Sequence, residues 1–311
     1  MPLGYQLTAG FNLTRPFQYA AEAGYGTIDT SSPVFTPIAI TSSIKLRVDN
    51  KTFDIAQVGQ EELYSILSTG HDFGFSVDVY PFSLPTLKYG SESPNYGTPA
   101  GTAAESLTFL ISMIMAKDSD GTWAEHFMLL PGSIMTGLEI SVDSDSAVKA
   151  TMTWMCQQIT PPNVTAPNPA LTTPDYAEFS DVTGAAISHL DIGDDTPLEL
   201  DGTGYPVKMA RLNWANNVET NRFANSDLIN SALMTSRLMT GSFSTGFGLD
   251  HDLQALIRDK VPVDGKMKFK TGALVATLAD VQLTNTEPEL STGVMVPDYN
   301  FKAANMTLGT S

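Results

Sequence analysis

The sequence predicts an all-β protein with minor α content, built from two tandem antiparallel β-sandwich or β-barrel units. Three observations predict it: apolar and polar residues alternate with period two along most of the chain, helical periodicity is scarce, and similar strand patterns occur in both halves. With 311 residues and 42% hydrophobic residues, the chain is long enough for two units and can fill their cores.

Period-two alternation is clearest in segments that we predict to be half-buried strands. In IAITSSIKLRV, Ile44 and Leu46 lie on one face of a strand, whereas Lys45 and Arg47 lie on the other. FGFSVDVY and LEISV alternate in the same way, and AVKATMTWMC places Cys156 on an apolar face. Such patterns are typical of antiparallel sheets with one solvated side.

A proline-rich stretch divides the chain. Five prolines occur between residues 161 and 174, and proline cannot continue a helix or enter the interior of a sheet. We therefore predict a first unit over residues 1–160 with an N-terminal arm, a linker or extended arm over 161–178, and a second unit over 179–311. The second unit contains the one convincing helix, 250–260, which has acids in its first turn and basic residues at its end.

An internal repeat relates the two predicted units. A constant offset of 168 residues carries Ile44 onto Leu212 and Phe75 onto Phe243 without a gap, and it also carries Leu46 onto Trp214 and Ser76 onto Ser244. Both strands of a pair are thus repeated at equal spacing. The offset favours a tandem duplication, and chance similarity between amphipathic strands is the alternative.

Long connections follow the first strand of each repeated pair, at residues 49–71 and 215–236. Hairpin loops usually have about two to five residues. Two connections of this length in matching places predict functional loops.

The net charge argues against a surface that grips nucleic acid. The chain carries 17 basic and 34 acidic residues, a formal charge of -17. Such a surface repels phosphate backbones, which suits either a protein that DNA slides past, plain solubility or a saline habitat. A single cysteine excludes an intrachain disulfide framework.

No segment predicts export or membrane insertion. The N-terminus lacks a basic stretch followed by an apolar one, and the longest apolar run, residues 109–116, is too short to span a bilayer. We expect a soluble protein made and assembled in the cytoplasm, with no membrane partner.

Catalytic and phosphate-binding motifs are missing from the sequence, so we predict no enzymatic activity and no cofactor. The triplet Asp250-His251-Asp252 is explained by helix capping. The acids between Asp191 and Asp201 allow either a bound divalent ion or a solvated loop, and we favour the loop.

Three segments resemble the tail tube (major tail) proteins of long-tailed phages and archaeal tailed viruses. They are SSIKLRV with ELYSILSTGHDFGFSVDVYP, KMARLNW with DLINSALMTSRLMTGSFSTGFG, and HFMLLPGSIMTGLEISVDSDSAVKATMTWMCQQI. In that family such segments form the sheet that lines the tube and the sandwich sheet behind it. The likeness spans most of the chain and rests on the order of the strands and on their residue patterns.

The resemblance implies units of tail-tube type that assemble into a ring with a continuous inner β-barrel. Stacked rings would surround a lumen that conducts viral DNA without binding it specifically. A duplicated chain would form a trimeric ring of pseudo-hexameric appearance, and a hexamer is the alternative if the halves are not equivalent. The implied location is the virion tail, and the implied partners are a tape measure protein and a tail terminator.

The resemblance also assigns roles to residues. Ile44, Leu46, Phe73, Phe75, Leu212, Trp214 and Phe243 would face the sandwich core. The lumen would be lined by Lys45, Arg47, Asp72, Asp78, Arg211, Asn213, Ser242 and Ser244, with Arg47 paired to Asp78; alternatively, these positions form the outer solvent face. Contacts between stacked rings would come from Phe53, Glu61, Leu63, Tyr64, Phe223, Asp227 and Leu228.

The main alternative is a β-sandwich binding module, such as a virion-surface adhesin, a decoration protein or a baseplate protein. An adhesin that recognises glycans would expose tryptophan near its loops. Trp123, Trp154 and Trp214 instead lie in strand patterns, which disfavours it.

Overall fold

Strands dominate the computed structural model of the protein. It describes residues 13–28, 33–56, 63–81, 84–91, 106–117, 123–143, 146–160, 175–182, 197–223, 228–245, 251–269, 274–291 and 294–309. Within these ranges every strand ladder is antiparallel, which confirms the predicted fold class of all-β with minor α. Closure of the sheet into a barrel is not part of this subunit structure.

The described residues of the first half form eight strands and one helix: β1 (Gln18–Gly24), β2 (Thr27–Ile28), β3 (Thr36–Pro37), β4 (Ile40–Ala56), β5 (Leu63–Tyr80), α1 (Leu84–Ser91), β6 (Leu107–Lys117), β7 (Trp123–Asp143) and β8 (Lys149–Cys156). After a 3-10 turn at Phe179–Asp181, the second half contains β9 (Leu198–Leu200), β10 (Thr203–Tyr205), β11 (Met209–Asn221), β12 (Ser231–Ser244), α2 (His251–Asp259), β13 (Val263–Phe269), β14 (Leu274–Ser291), β15 (Val294–Ala303) and β16 (Asn305–Gly309).

Eight of these strands form one sheet, which we call the central sheet, in the order β4-β5-β8-β7-β11-β12-β15-β14. Strands β7 and β14 are long enough to enter a second layer. The N-terminal part of β7 pairs with β6, which pairs with β1, and the N-terminal part of β14 pairs with β13 and β16. These strands form two flanking sheets.

The core lies between the central sheet and the flanking sheets. In the first half Phe109 of β6 packs against Phe75 and Trp154 of the central sheet, with ring centroids 5.1 and 4.7 Å apart. In the second half the Trp214 indole Nε1 donates to the Met306 carbonyl of β16 at 3.0 Å. One hydrophobic cluster includes residues of both halves. The predicted boundaries of two separate units stay a prediction.

The two halves repeat the same strand order. Strands β4-β5-β8-β7 correspond to β11-β12-β15-β14, and a helix follows the second strand of each set. Both sets also carry β-bulges, single extra residues in one strand of a pair, at corresponding places. At these corresponding places the extra residue is a threonine: Thr69 in β5, Thr136 in β7, Thr235 in β12 and Thr284 in β14. The pair of β4 and β5 has two further bulges, at Ser42 and Tyr64.

The bulges align the repeat more accurately than the sequence does. Thr69 and Thr235 lie 166 residues apart, and Thr136 and Thr284 lie 148 apart. The predicted offset of 168 is therefore wrong by two residues in the first hairpin. Its error shows in the pairing, because Phe75 lies opposite Leu46, whereas Phe243 lies opposite Ala210 rather than Trp214. Period-two patterns match equally well after a shift of two residues, so they cannot detect this error.

The predicted long loops are mostly strand. β4 continues to Ala56 and β5 begins at Leu63, and in the second half β11 continues to Asn221 and β12 begins at Ser231. The prediction of loops over 49–71 and 215–236 is thus wrong for most of their length. These extensions run beyond the neighbouring strands as two-stranded ribbons. In the ribbon of the second half Ala232 and Val218 pack in a small cluster with Ile134, and most of the other residues are exposed, so the sequence shows little of the alternation that indicates a strand.

Of the two helices in the described ranges, one was predicted and one was missed. Helix α2 confirms the prediction for 250–260, with Leu253 buried and Leu256 and Ile257 against the core. Helix α1 is only eight residues long and has Pro85 in its first turn, where proline is tolerated. Two turns are too short for a clear helical period, although Leu87 is fully buried.

Glu125 of β7 anchors the segment that leads into β1. Its Oε1 accepts hydrogen bonds from the hydroxyls of Thr14 and Ser112 and from Arg15 Nε at 3.0 Å. Partial burial would raise the pKa of Glu125, but these hydrogen bonds and the charge of Arg15 outweigh it and hold the pKa below its usual range.

We expect Glu125→Gln to lower the free energy of unfolding by about 1–2 kcal/mol at neutral pH, because a charge-assisted network is lost. A carboxyl with a lowered folded pKa stabilises the protein above its unfolded pKa, and this contribution disappears as the pH falls through the folded value. The stability gap between wild type and variant, measured by denaturant unfolding, should therefore shrink below about pH 4. A gap that stays constant down to low pH would contradict this assignment.

Candidate assembly surfaces

The two faces of the central sheet have opposite character, because side chains alternate along each strand. On one face, a continuous row across six strands is apolar and packs in or against the core: Val77, Met152, Leu138, Trp214, Met239 and Ala303. The next row on the other face is polar throughout: Asp78, Thr151, Glu139, Asn213, Thr240 and Lys302. We call this second face the polar face.

The predicted core residues are confirmed. Ile44, Phe75, Leu212, Trp214 and Phe243 are buried, and Leu46 and Phe73 are partly buried against the same cluster. The buried Cys156 agrees with its apolar surroundings in the sequence, and burial raises the pKa of its thiol.

All eight lumen candidates occupy register positions of the polar face. Lys45, Arg47 and Arg211 are exposed, and Asp72, Asp78, Asn213 and Ser242 are half-buried. Ser244 differs, because its side chain is only 1% exposed and therefore does not reach the surface in this subunit. Ser244 is therefore not a surface residue of the subunit.

Ion pairs neutralise much of the charge on the polar face. Arg211 Nε lies 3.3 Å from Glu139 Oε1 in the neighbouring strand, and Lys149 Nζ lies 3.1 Å from Asp78 Oδ2. A third pair joins Arg47 to Asp49. Arg47, Lys149 and Arg211 thus sit beside acids, whereas Lys45 and Lys302 form no ion pair among the described residues, so the face carries charges of both signs and little net positive charge.

The predicted pairing of Arg47 with Asp78 is wrong. Asp78 lies opposite Ser43, four residues from Arg47 along β4, which corresponds to about 13 Å. Its carboxylate instead accepts hydrogen bonds from Thr151 at 2.7 Å and Ser43 at 2.9 Å. Partial burial would raise the pKa of Asp78, but hydrogen bonds from Thr151, Lys149 and Ser43 outweigh it and lower the pKa.

Glu139, Lys149 and Lys302 were missed by the sequence analysis. Each lies at a polar-face position beside a predicted residue. The alternation of LEISV could have identified Glu139, because it places that residue opposite to the buried Leu138 and Ile140.

Two hairpin ribbons extend past the central sheet. The first arm comprises residues 50–56 of β4 and 63–72 of β5, beyond the last pair of β5 with β8. The second arm comprises residues 216–221 of β11 and 231–238 of β12, beyond the pairs with β7 and β15. Arg222, which follows the second arm, donates to the His71 carbonyl and to Asp72 in the first arm, so the arms are linked.

The residues predicted to contact a stacked ring belong to these arms or to their connections. Phe53, Leu63 and Tyr64 lie in the strands of the first arm, while Glu61 and Asp227 lie outside the described residues. Beyond the second arm, Phe223 is 60% exposed and its backbone N–H donates to Asn230 Oδ1 at 2.9 Å. Leu228 is half-buried. The stacking role of all seven stays a prediction.

Both borders of the central sheet are open in the described residues. There, β4 pairs with β5 alone, and residues 285–291 of β14 pair with β15 alone. An open border presents unpaired backbone N–H and C=O groups that another strand can bind. The central sheet can therefore be extended at both ends.

The described ranges can be compared with what a metal site and a membrane-spanning helix require. Over those ranges no cluster of three or more His, Cys, Asp and Glu side chains could hold a metal ion. Asp191, Asp194 and Asp195 lie outside the described residues. Neither helix that the structure describes has the length and apolar character to cross a bilayer.

An antiparallel sandwich with a polar sheet face, projecting arms and two open sheet borders defines a structural β protein that is built for extension by further strands. The family model for phage tail tube proteins matches residues 14–303, and the chain therefore belongs to that family. It is a structural component of a virion tail, and its subunits assemble into a tube. No curated protein matches the chain. The family favours the tube subunit over the alternative of a β-sandwich binding module.

Proposed function

We propose that three copies of the chain form each ring of the tube. The observation that carries this proposal is the central sheet, in which two four-stranded sets of the same order are joined edge to edge within one chain. Three chains would place six such sets around the lumen. A pseudo-hexameric ring would thus form without six separate chains, and its closed barrel would leave no open sheet border.

The polar face would line the lumen. Its alternating ion pairs and neutral polar residues give DNA no continuous basic strip to bind, and the net charge of -17 repels it. Viral DNA would therefore pass during infection without specific binding. A tape measure protein within the lumen and a tail terminator at the tube end are the further partners of this proposal.

The two arms would contact the next ring. They project beyond the sheet, and Phe223 next to the second arm exposes a large apolar side chain. Assembly of the stacked rings would take place in the host cytoplasm. The role of the subunit is structural, with no reaction catalysed.

Electron microscopy of the purified protein tests the ring. We expect tubes or stacked rings with a central hole, and single rings whose mass equals three 33.4 kDa chains by native mass spectrometry. A mass equal to six chains would show that the ring is a hexamer and not a trimer. Dispersed monomers at every concentration and salt condition would overturn the proposal.

A further inference from the structure

The structure contains a template for the contact between neighbouring subunits. Within one chain, β7 of the first set pairs with β11 of the second, from Gly137 opposite Ala215 to Asp143 opposite Met209. By the repeat, β7 corresponds to β14 and β11 corresponds to β4. β14 and β4 are the two open borders of the central sheet. The internal junction thus joins the same two kinds of strand that are left open at its ends.

We infer that β14 of one subunit pairs with β4 of the next in the register of the internal junction, with residues 285–291 opposite residues 49–43. This inference rests on the proposed ring and specifies its contact. The register follows from the bulges: 166 residues separate corresponding positions of β4 and β11, and 148 separate those of β7 and β14. The last residues of β7 and β14, Asp143 and Ser291, are also 148 apart.

In this register residues of opposite charge take directly opposed positions of the ladder. Lys45 lies opposite Glu289, and Arg47 lies opposite Glu287. Directly opposed unlike charges stabilise a strand pair, and like charges destabilise it. Among the described residues Lys45 is exposed and forms no ion pair, as expected of a residue whose partner is on another chain.

The internal junction already contains one pair of opposite charges, which maps onto Glu287 and Lys45 as diagonal neighbours. Glu139 and Arg211 meet diagonally across β7 and β11 at 3.3 Å. The repeat carries Glu139 onto Glu287 and Arg211 onto Lys45, which preserves both charges at the subunit contact. In the same ladder, Ile44 lies opposite Leu290. The offset of 168 would instead place Lys45 opposite Glu287 and Arg47 opposite Asn285, so only one of the two charge pairs would be matched.

Pro288 lies opposite Leu46 in this ladder. Proline has no N–H, so the ladder is at most one hydrogen bond short at this position. Proline and charged residues on an open border discourage indiscriminate strand pairing. These residues thus restrict the border to a partner with the matching sequence, which is a second copy of this chain.

Disulfide trapping tests the register on the full chain. Directly opposite residues of an antiparallel pair have Cα atoms about 4.5–5.5 Å apart, within reach of a disulfide, whereas a shift of four residues adds about 13 Å. We expect the double variant Lys45→Cys with Glu289→Cys to give covalent trimers on oxidation. The matched control, Lys45→Cys with Asn285→Cys, should stay monomeric on a non-reducing gel. Cys156 is buried in both variants.

Charge reversal gives a second measurement. Glu287→Lys with Glu289→Lys should reduce the fraction of subunits in rings at least tenfold at low salt, and adding Lys45→Glu with Arg47→Glu should restore it. Wild-type rings combined with cross-linking at Asn285, or with no cross-linking at Glu289, would overturn the register while leaving the ring intact. A wild type that forms no rings would overturn both the register and the proposed function.

Discussion

Replacing Trp214 with alanine is expected to lower the free energy of unfolding by about 3–5 kcal/mol. Trp214 is completely buried in β11, at the junction of the two strand sets, and its indole N–H binds the Met306 carbonyl of a flanking sheet. The variant would lose apolar burial, leave a cavity and orphan a buried carbonyl group. Denaturant unfolding of the unassembled subunit measures the loss.

Two comparison variants make the result interpretable. Met209→Ala lies in the same strand at a position that is 38% exposed, and it should change stability by less than about 1 kcal/mol. Trp214→Phe retains most of the apolar volume and should fall between wild type and Trp214→Ala. A loss below about 1 kcal/mol for Trp214→Ala would show that β11 does not carry the joint core.

Shortening the first arm is expected to abolish tube growth without unfolding the subunit. Thr52 lies opposite Ser68, so residues 53–67 can be replaced by Asn-Gly, which forms the two-residue turn that hairpins favour. The remaining β4 keeps residues 43–49, the border that the proposed ring uses. We therefore expect single rings that fail to stack, as seen by sedimentation and electron microscopy.

Circular dichroism and thermal unfolding provide the control for the shortened arm. The removed residues lie beyond the last pair of β5 with β8, Phe73 with Cys156, so the rest of the sheet should keep its stability. Tubes of normal length from this variant would refute the stacking role of the first arm. A variant that no longer folds would show instead that the arm supports the subunit itself.

Alternation in the sequence was sufficient to assign the two faces of the central sheet. Phe75, Leu212 and Phe243 are buried as predicted, and Lys45 and Arg211 are exposed on the opposite face. The pleat of a strand enforces this relation wherever one face is buried, so it is readable without coordinates. The same reasoning located helix α2 from its apolar stripe.

Register was beyond the reach of sequence patterns, because it depends on single extra residues. The bulge at Thr69 shifts the pairing of a whole strand without changing its composition. With the offset of 166 residues, Gly241 in β12 is the position equivalent to Phe75 in β5. At Gly241 a Cβ atom would lie 2.3 Å from the Phe301 ring, so this position has no room for the side chain that Phe75 has in the first half. Because one half has phenylalanine and the other has glycine at this position, a comparison of residue types does not detect the equivalence.

The candidate site was partly predictable for the same reason. Seven of the eight lumen candidates reach the polar face, because only their alternation matters there, whereas the partner of Arg47 depends on distance along the strand. The open borders followed from no sequence feature, since pairing between distant strands must be known first. Glu287 and Glu289 became meaningful only once β14 was located at a border.

The connections after the two helices differ greatly in length. Fifteen residues separate α1 from β6, but only three separate α2 from β13. In the proposed ring, neighbouring sets would alternate between the long connection and the short one, so the circumference would repeat three times per turn and not six. A molecule that docks on such a ring at the long connections would find three equivalent binding sites. A partner of true sixfold symmetry could not contact all six strand sets in the same way.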